Sequence, residues 1–257
     1  MFHRRGFTVV ELLVVICLIC ILAAILIPAS NKIRQSAMRV SCLSNMRQIT
    51  AASMTYAGDN GGQLPYCNWA GGGPTDGGVY QFGWMFTGPI YQSRYPNIVW
   101  NGPHYPSNGV MTGVIWPYLN NLAVYHCPLD QPEFYAGTNW LASYLENGAQ
   151  CGYGASGGGQ SGGMGAPLRR ISQPGQSVMF WEALEQTYQG QSLTGAVWND
   201  GASYPTEEVL ADRHFKGANV SCFDGHAEWW DQATWQVNAS AGGWSRLWCS
   251  PYSSNGH

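Results

Sequence analysis

The chain has 257 residues, of which 45% are hydrophobic, 13% are aromatic and 11% are charged, so it is too apolar to be intrinsically disordered and long enough for one good core. The charge is uneven, because residues 1–57 carry six basic and one acidic side chain whereas residues 58–257 carry six basic and fourteen acidic ones. Binding to nucleic acid needs a basic surface that releases counterions from phosphates, so no nucleic-acid partner is expected.

The N-terminal segment predicts a membrane-spanning helix. A short basic stretch, residues 1–6, is followed by nineteen uncharged and mostly apolar residues, 12–30. As a helix this run reaches about 29 Å, which matches the hydrocarbon thickness of a bilayer. Because Arg4 and Arg5 precede the run, the positive-inside rule places residue 1 in the cytoplasm and the rest of the chain across the membrane.

One carboxylate distinguishes this segment from an ordinary signal peptide. Glu11 lies at the start of the apolar run, where an unpaired charge is costly in lipid. The nearest candidate for signal cleavage, Ile27-Pro28-Ala29, has Ile where a small residue is needed. A plain N-terminal anchor is the alternative interpretation.

The string Gly6-Phe7-Thr8-Val9-Val10-Glu11 resembles the class III signal of type IV pilins and type II secretion pseudopilins. The resemblance implies that a prepilin peptidase cuts after Gly6, removes the leader 1–6 and N-methylates Phe7. Glu11 then matches the family's assembly glutamate, and Pro28 matches a proline that kinks the same helix. The new Phe7 amine can pair with the Glu11 carboxylate, within one subunit or between neighbours, so that neither charge stays uncompensated in lipid.

The helical pattern continues beyond the apolar run. Residues 31–57 contain neither Gly nor Pro, and their apolar side chains recur at spacings of three and four. These positions are Ile33, Ala37, Val40, Leu43, Met46, Ile49, Ala52 and Tyr56. We therefore predict one helix over residues 7–57, transmembrane over 7–30 and amphipathic over 31–57, that ends at the turn residues 58–62.

Residues 58–257 form the predicted globular head domain. Short β-like runs cover residues 178–181, 220–223 and 226–230, and Asp224-Gly225 between the last two predicts a type I′ hairpin. The glycine-rich residues 148–165 predict a long flexible or ligand-gripping loop.

The spacing His214-x9-Asp224-Gly225 resembles a C-terminal signature of pilin-like proteins from Planctomycetes and related bacteria. Other segments similar to that group are residues 42–49, 127–130, and 170–174 ahead of an apolar strand that ends near Glu182. The two resemblances imply an α+β pilin-like fold, in which a long N-terminal helix packs on a four- or five-stranded antiparallel sheet with long loops.

The metal content is left open by the sequence. His214, Asp224 and His226 offer imidazole and carboxylate donors, although Asp224 is better explained as the turn residue and His226 as its neighbour in the strand. No cofactor is required. The resemblance to major pseudopilins makes calcium the candidate ion, with four carboxylates available: Asp200, Glu207, Glu208 and Asp212.

The cysteines predict disulfides if the head domain lies in an oxidising compartment. Cys17 and Cys20 lie in the apolar run and are interpreted as packing residues. Six cysteines remain, and they allow fifteen pairings. They are Cys42, Cys67, Cys127, Cys151, Cys222 and Cys249. The hypothesis is that Cys42 pairs with Cys127 and links the helix to the sheet.

Enzyme motifs have no structural context in this sequence. Two matches to G-x-S-x-G, at residues 154–158 and 159–163, and one to G-x-G-x-x-G, at 152–157, lie inside the glycine tract, without the flanking strand and helix that such motifs need. The chain is therefore predicted not to be an enzyme. Five tryptophans in loop-rich sequence either fill the core or bind a glycan: Trp69, Trp84, Trp100, Trp116 and Trp140.

The predicted function is structural: a subunit of a type II secretion pseudopilus or of a type IV pilus-like filament. Its implied partners are the prepilin peptidase, the inner membrane, and other copies of itself or related pilins. The head domain would be periplasmic in the precursor and on the cell surface or outside the cell after assembly. The alternative is a membrane-tethered or minor tip adhesin that binds polysaccharide through aromatic loops.

Overall fold

The computed structural model describes residues 8–68, 83–85, 109–130, 142–151, 165–183, 187–188, 191–192, 201–203, 205–206 and 210–257. In this part of the chain the helices are α1 (Val9–Asp59), α2 (Trp116–Leu119) and α3 (Gln232–Ala239). The strands are β1 (Tyr144–Asn147), β2 (Val178–Glu182), β3 (Thr187–Tyr188), β4 (Gln191–Ser192), β5 (Ala202–Ser203), β6 (Gly217–Cys222) and β7 (Ala227–Asp231). The chain forms two compact units, Met1–Met38 and Arg39–His257.

Helix α1 confirms the predicted long N-terminal helix and ends where the turn residues begin. The N–H of Gly62 donates to the carbonyl of Ala57 at 2.7 Å, and Gly61 and Gly62 adopt φ of +64° and +82°. This is the hydrogen bond of a Schellman motif, which satisfies a terminal carbonyl and needs a residue that tolerates positive φ. Within the described residues, α1 is the helix long and apolar enough to cross a membrane.

Five strands form one sheet in the order β5-β1-β2-β6-β7. The pairs β1–β2, β2–β6 and β6–β7 are antiparallel, and three of these strands match the predicted β-like runs. The edge strand β5 instead runs parallel to β1, through Glu146 opposite Ala202 and Asn147 opposite Ser203. The sheet is therefore mixed, which corrects the antiparallel prediction, because so short an edge strand has no sequence pattern of its own. Strands β3 and β4 form a separate antiparallel pair.

Both faces of the sheet are buried, and each has its own core. On one face Phe180 packs edge-on against Trp84 and belongs to the same cluster as Met46 of α1. On the other face Trp181 packs against Trp235 of α3, with ring centroids 5.1 Å apart. Successive strand residues point to opposite faces, so a strand covered on both sides is apolar throughout. All five residues of strand β2 are buried, and the first four of them, Val178 to Trp181, are apolar as this rule requires. The fifth, Glu182, is a buried carboxylate.

The buried face of α1 differs in part from the predicted apolar stripe. Ile33 and Val40 are 68% and 65% exposed, and the buried positions begin with Cys42. From there on the helix buries Cys42, Met46, Ile49, Thr50, Ala52, Ser53 and Ala57. Apolar spacing found Met46, Ile49 and Ala52. It missed the cysteine, the threonine and the serine of this face, because small and polar side chains carry little hydrophobic signal.

The hairpin between β6 and β7 has a three-residue loop and not the predicted type I′ turn. Gly225 donates to the carbonyl of Cys222, and Cys222 donates to the carbonyl of His226, each at 2.9 Å. Gly225 has φ +92°, but Asp224 lacks the positive φ that a type I′ turn requires there. The Asp224 carboxylate instead accepts the N–H of His226 at 3.1 Å, which stabilises a tight turn ending in a left-handed glycine.

Candidate functional site

The start of α1 places Glu11 in a reciprocal hydrogen-bond arrangement with Thr8. The Glu11 carboxylate accepts the backbone N–H and the hydroxyl of Thr8, each at 2.8 Å, while the Glu11 N–H donates to the Thr8 hydroxyl at 3.3 Å. This is a capping box, in which the first residue before the helix and the third residue inside it satisfy each other's groups. The spacing Thr-x-x-Glu is readable in the sequence, although Thr8 was not singled out there.

The capping box orients the Glu11 carboxylate toward the N-terminal end of the helix. Gly6 and Phe7, the predicted cleavage and methylation residues, lie outside the described residues. Thr8 directly follows Phe7 in the chain, so the Glu11 carboxylate is held one residue away from the predicted new amino terminus. An acidic side chain in the first turn also interacts favourably with the helix dipole.

The first half of α1 presents an apolar surface. Its Val, Leu and Ile side chains from Val9 to Ile27 are exposed in the isolated chain. A contiguous apolar surface of this size marks contact with lipid or with other apolar helices. Pro28 lies inside α1, and the helix continues on both sides of it, so the kink at Pro28 stays a prediction.

Four ionisable side chains from distant parts of the chain meet in residues 39–257, and we call them the buried cluster: Cys42, Cys127, Glu182 and His214. Cys42 comes from α1, Cys127 from the segment after the 3-10 turn Leu122–Tyr125, and Glu182 from the end of β2. His214 comes from the turn before β6. Each of the four is at most 1% exposed.

The donor atoms of the buried cluster lie within hydrogen-bonding distance of one another. The Cys42 thiol donates to Glu182 Oε1 at 2.7 Å. His214 Nε2 lies 3.0 Å from the same oxygen and 3.3 Å from the Cys127 Sγ. All four donor atoms fall within 4.8 Å of one another. The structure thus brings together two thiols, one carboxylate and one imidazole.

Neighbouring groups hold these side chains in place. The backbone N–H of Asn219 in β6 donates to Glu182 Oε2 at 2.6 Å. The Tyr144 hydroxyl lies 3.2 Å from the Cys42 Sγ, and the Leu129 N–H donates to the Cys127 Sγ at 3.4 Å. Tyr144 is opposite Glu182 in the β1–β2 register, so the sheet itself places the two.

The electrostatics of the buried cluster favour an ion pair between Glu182 and His214. Burial opposes both charges, yet the hydrogen bonds from His214 and from the Asn219 N–H hold the pKa of Glu182 below its usual value. Cys127 and Glu182 together raise the pKa of His214 to about 9. The neighbouring Cys42 and His214 side chains hold the pKa of Cys127 below its usual value despite burial, whereas burial raises the pKa of Cys42 well above its usual value.

A second contact ties the Cys127 segment to the His214 segment. Arg213 and Asp130 form a salt bridge of 3.0 Å, with both side chains largely buried. The turn that follows His214 is strained, because Phe215 and Lys216 adopt φ of +56° and +64°. Such conformations persist in side-chain-bearing residues only where the surroundings enforce them.

The comparisons with known proteins bear on the N-terminus. Residues 1–27 match the family model described as the prokaryotic N-terminal methylation motif. The chain carries a pilin-like prepilin signal. This motif is typical of pilin- and pseudopilin-like precursors, which are structural subunits and not enzymes, and the apolar part of α1 that follows it is long enough to cross a membrane. No curated protein and no solved structure matches the chain.

The structure does not bring together the three metal donors that the sequence suggested, His214, Asp224 and His226. His214 lies in the buried cluster, whereas Asp224 and His226 pair with each other at the exposed hairpin turn, at 2.6 Å. They are not one site, because the spacing of nine residues spans the length of β6. Among the calcium carboxylates Asp200, Glu207 and Glu208 lie outside the described residues, and Asp212 is exposed.

Cys42 and Cys127 are neighbours in the structure, as free thiols, and their disulfide stays a prediction. Of the buried cluster, the sequence analysis named His214 as a metal donor and Cys42 and Cys127 as a disulfide, but gave Glu182 no role in a site. The sequence had marked Glu182 only as the end of a predicted strand.

The tryptophans divide between the core and the part of the chain that is not described. Trp84 is fully buried, and Trp116 is partly buried and stacks on Tyr125. Trp69, Trp100 and Trp140, together with the two G-x-S-x-G matches, lie outside the described residues. Trp84 therefore fills the core, as the first of the two interpretations expected.

Proposed function

We propose that this precursor is processed into a structural subunit of a type II secretion pseudopilus or of a type IV pilus-like filament. The observation that carries the proposal is the methylation motif at residues 1–27 leading directly into a long apolar helix whose Glu11 is held by Thr8. Cleavage after Gly6 would remove Arg4 and Arg5, the two charges that keep the leader in the cytoplasm.

The role of Glu11 follows from charge compensation. A methylated amine on Phe7 is a cation at the edge of an apolar helix, and the Glu11 carboxylate lies next to it in the chain. The pairing of these two charges, within one subunit or with a neighbour, avoids an uncompensated charge among packed helices. Because the pair forms at a defined height along the helix, it sets the register in which subunits stack.

The apolar surface of α1 supplies the driving force for assembly. Its exposed aliphatic side chains can exchange lipid contacts for contacts with the same surface on neighbouring subunits. The residues from Arg39 onward form a unit of their own, so they can be carried outward on the filament without unfolding. The head domain would then lie in the periplasm before assembly and outside the filament core afterwards.

Intact mass and N-terminal sequencing of the chain from membranes test the processing step. The expected product begins at N-methylated Phe7. A chain that begins at Met1, or after Ala29, contradicts the proposal and favours a plain anchor.

Filament formation tests the role of Glu11. Glu11→Gln should leave the chain in the membrane and cleaved, but reduce the amount recovered in sheared surface fractions and the filaments seen by electron microscopy. Asp212→Asn, an exposed carboxylate of the head, is the matched control and should assemble normally. Normal filaments from Glu11→Gln would exclude the register role.

A further inference from the structure

The buried cluster is an unusual set of side chains for the inside of a protein. Buried ionisable side chains are costly unless they are paired or coordinate a metal. Here four of them converge from α1, a loop, the end of β2 and a turn, and their donor atoms all lie within 4.8 Å of one another. The proposed filament role rests on the methylation motif and the apolar part of α1 and gives these four side chains no part.

We propose that the chain binds one structural zinc ion through the four members of the buried cluster: Cys42, Cys127, Glu182 and His214. Zinc prefers four ligands in tetrahedral geometry and accepts cysteine sulfur, histidine nitrogen and carboxylate oxygen. Two thiolates favour a soft metal, and a hard carboxylate beside them disfavours copper(I), so zinc suits the whole set best. The proposal does not depend on the filament function.

The dimensions of the buried cluster fit such an ion. Zinc bonds of about 2.0–2.3 Å place tetrahedral ligands about 3.3–3.8 Å apart. The measured separations are 2.7 Å for Cys42 to Glu182, 3.0 Å for Glu182 to His214 and 3.3 Å for His214 to Cys127. The other separations are at most 4.8 Å, so each donor moves by about an ångström or less to surround zinc. The two thiol protons and the Nε2 proton of His214 leave for solvent when the metal binds.

The surroundings mark a structural and not a catalytic site. A catalytic zinc keeps one position open to water, whereas all four side chains here are buried and protein supplies every ligand. The Asn219 N–H, the Leu129 N–H and the Tyr144 hydroxyl face the carboxylate or the sulfurs and disperse their negative charge. His214 Nδ1 has no partner within the described residues, so Nε2 is the ring nitrogen directed at the other ligands.

Zinc accounts for all four residues, whereas a Cys42–Cys127 disulfide accounts for two. A disulfide has no S–H to donate, so the Cys42 thiol would lose its hydrogen bond to Glu182. It also requires neither a buried carboxylate nor a buried imidazole next to the sulfurs. Beside a disulfide, Glu182 and His214 would still pair with each other, but the sulfurs would no longer interact with either buried charge.

A second group of potential ligands provides a contrast: Cys222, His226 and Glu228. There the guanidinium of Arg246 contacts Glu228 and lies 3.5 Å from the Cys222 Sγ. A cation of the protein thus already occupies that position. His226 is exposed, so the group is open to water and lacks the closed shell of the buried cluster.

The test uses the full chain in detergent, stripped with a chelator, kept reduced with a phosphine and titrated with Zn²⁺ or Co²⁺. We expect one zinc per chain by elemental analysis, and a cobalt spectrum with tetrahedral d–d bands and sulfur-to-cobalt charge transfer. Cys127→Ser and the isosteric Glu182→Gln should each weaken zinc binding by about tenfold or more. Cys249→Ser, another buried cysteine, and His226→Ala in the contrasting group should bind as the parent does.

Each contrary result overturns the assignment. One is a parent chain that binds no metal after reduction. Another is zinc loss in Cys249→Ser equal to that in Cys127→Ser, and a third is a Cys42–Cys127 disulfide in native chain isolated with thiol trapping. If Cys127→Ser does not fold, the parent chain provides the test. Its thiols are blocked before Co²⁺ is added, and the sulfur-to-cobalt charge-transfer band must then be absent. Filament assembly is not a readout here, so failure of the filament proposal leaves this test intact.

Discussion

The Sγ atoms of Cys67 and Cys151 lie 2.8 Å apart, although 84 residues separate the two cysteines in the chain. Both are fully buried, and the Cys67 N–H donates to the Cys151 Sγ at 3.4 Å. They stand in a small cluster of their own with Tyr66 and Ala202. Of the fifteen pairings that six cysteines allow, this one is already in contact, and no sequence pattern pointed to it.

We expect Cys67 and Cys151 to form a disulfide when the chain is exposed to oxidised glutathione. Two thiols become one S–S bond, and the two electrons and two protons reduce the glutathione disulfide to two thiols. Closing so long a loop should stabilise the fold by about 2–4 kcal/mol. Non-reducing peptide mapping and urea unfolding check both points, with Cys67→Ser as the variant and Cys249→Ser as the control. A map without this bridge contradicts the prediction.

Thr8 should determine how firmly α1 begins. Thr8→Ala removes the hydroxyl that accepts the Glu11 N–H and donates to the Glu11 carboxylate. Loss of such a cap costs about 1 kcal/mol, so amide exchange at Glu11 should quicken about fivefold. Hydrogen exchange of the detergent-solubilised chain measures this, and Thr8→Ser should behave like the parent. Equal rates in the alanine and parent chains would mean that the capping box contributes nothing.

Glu146 should make the fold less stable as the pH rises. Burial, together with Cys151, raises the pKa of Glu146 well above its usual 4.5, despite the hydrogen bond from Gln150. A raised folded-state pKa means that the folded chain holds the proton more tightly than the unfolded chain. Its contribution to stability is therefore fully present below about 4.5 and is lost as the pH rises through the folded-state pKa.

Glu146→Gln should consequently be more stable than the parent at pH 8, by about 1–3 kcal/mol, and gain nothing at pH 4. Urea unfolding at the two pH values measures the difference. Glu228→Gln is the opposing control. Burial raises the pKa of Glu228, but the neighbouring Arg246 lowers it by more, so that this pKa lies below its usual value. That variant should be slightly destabilised at pH 8 and not at pH 4. If the free energy of unfolding of the parent, relative to Glu146→Gln, is the same at pH 4 and pH 8, the raised pKa of Glu146 is disproved.

Lys216 should be replaceable by glycine with a gain in stability. It is exposed and adopts φ +64°, a left-handed conformation that costs about 1–2 kcal/mol for a residue with a Cβ. Lys216→Gly relieves this strain and increases the entropy of the unfolded chain, so the net gain should be about 0.5–1 kcal/mol. Lys216→Ala retains the Cβ and should show no gain. Thermal unfolding compares the three chains, and an alanine variant as stable as the glycine variant would refute the explanation.

The turn that holds Lys216 also depends on Gly217, which no substitution should replace without loss. A Cβ at Gly217 would lie 2.2 Å from the carbonyl oxygen of Trp230 and 2.7 Å from the ring of Trp229. To relieve this overlap, the backbone of β7 and the packed indole would both have to move, which would destabilise the fold. The turn that positions His214 therefore tolerates substitution at Lys216 but not at Gly217.

Much of the N-terminal region was determined by the sequence itself. The methylation motif, the apolar run, the Thr-x-x-Glu cap and the glycines after Asp59 each depend on residues within one or two helical turns of one another. Insertion in lipid, recognition by a peptidase and helix formation all depend on contiguous stretches of sequence. Neighbouring residues are therefore enough to predict these features. The strands β2, β6 and β7 were likewise visible, because their apolar runs and a turn signal are local.

Only the tertiary structure decided which distant residues meet. The parallel pairing of β5 with β1, the contact of Cys67 with Cys151, and the convergence of the buried cluster each join segments far apart in the chain. Such contacts are selected by the burial of both sheet faces and by the satisfaction of buried polar groups across the whole domain. Because these terms depend on every element at once, no single stretch of the sequence encodes them, and Glu182 became a candidate ligand only when the folded sheet placed it between Cys42 and His214.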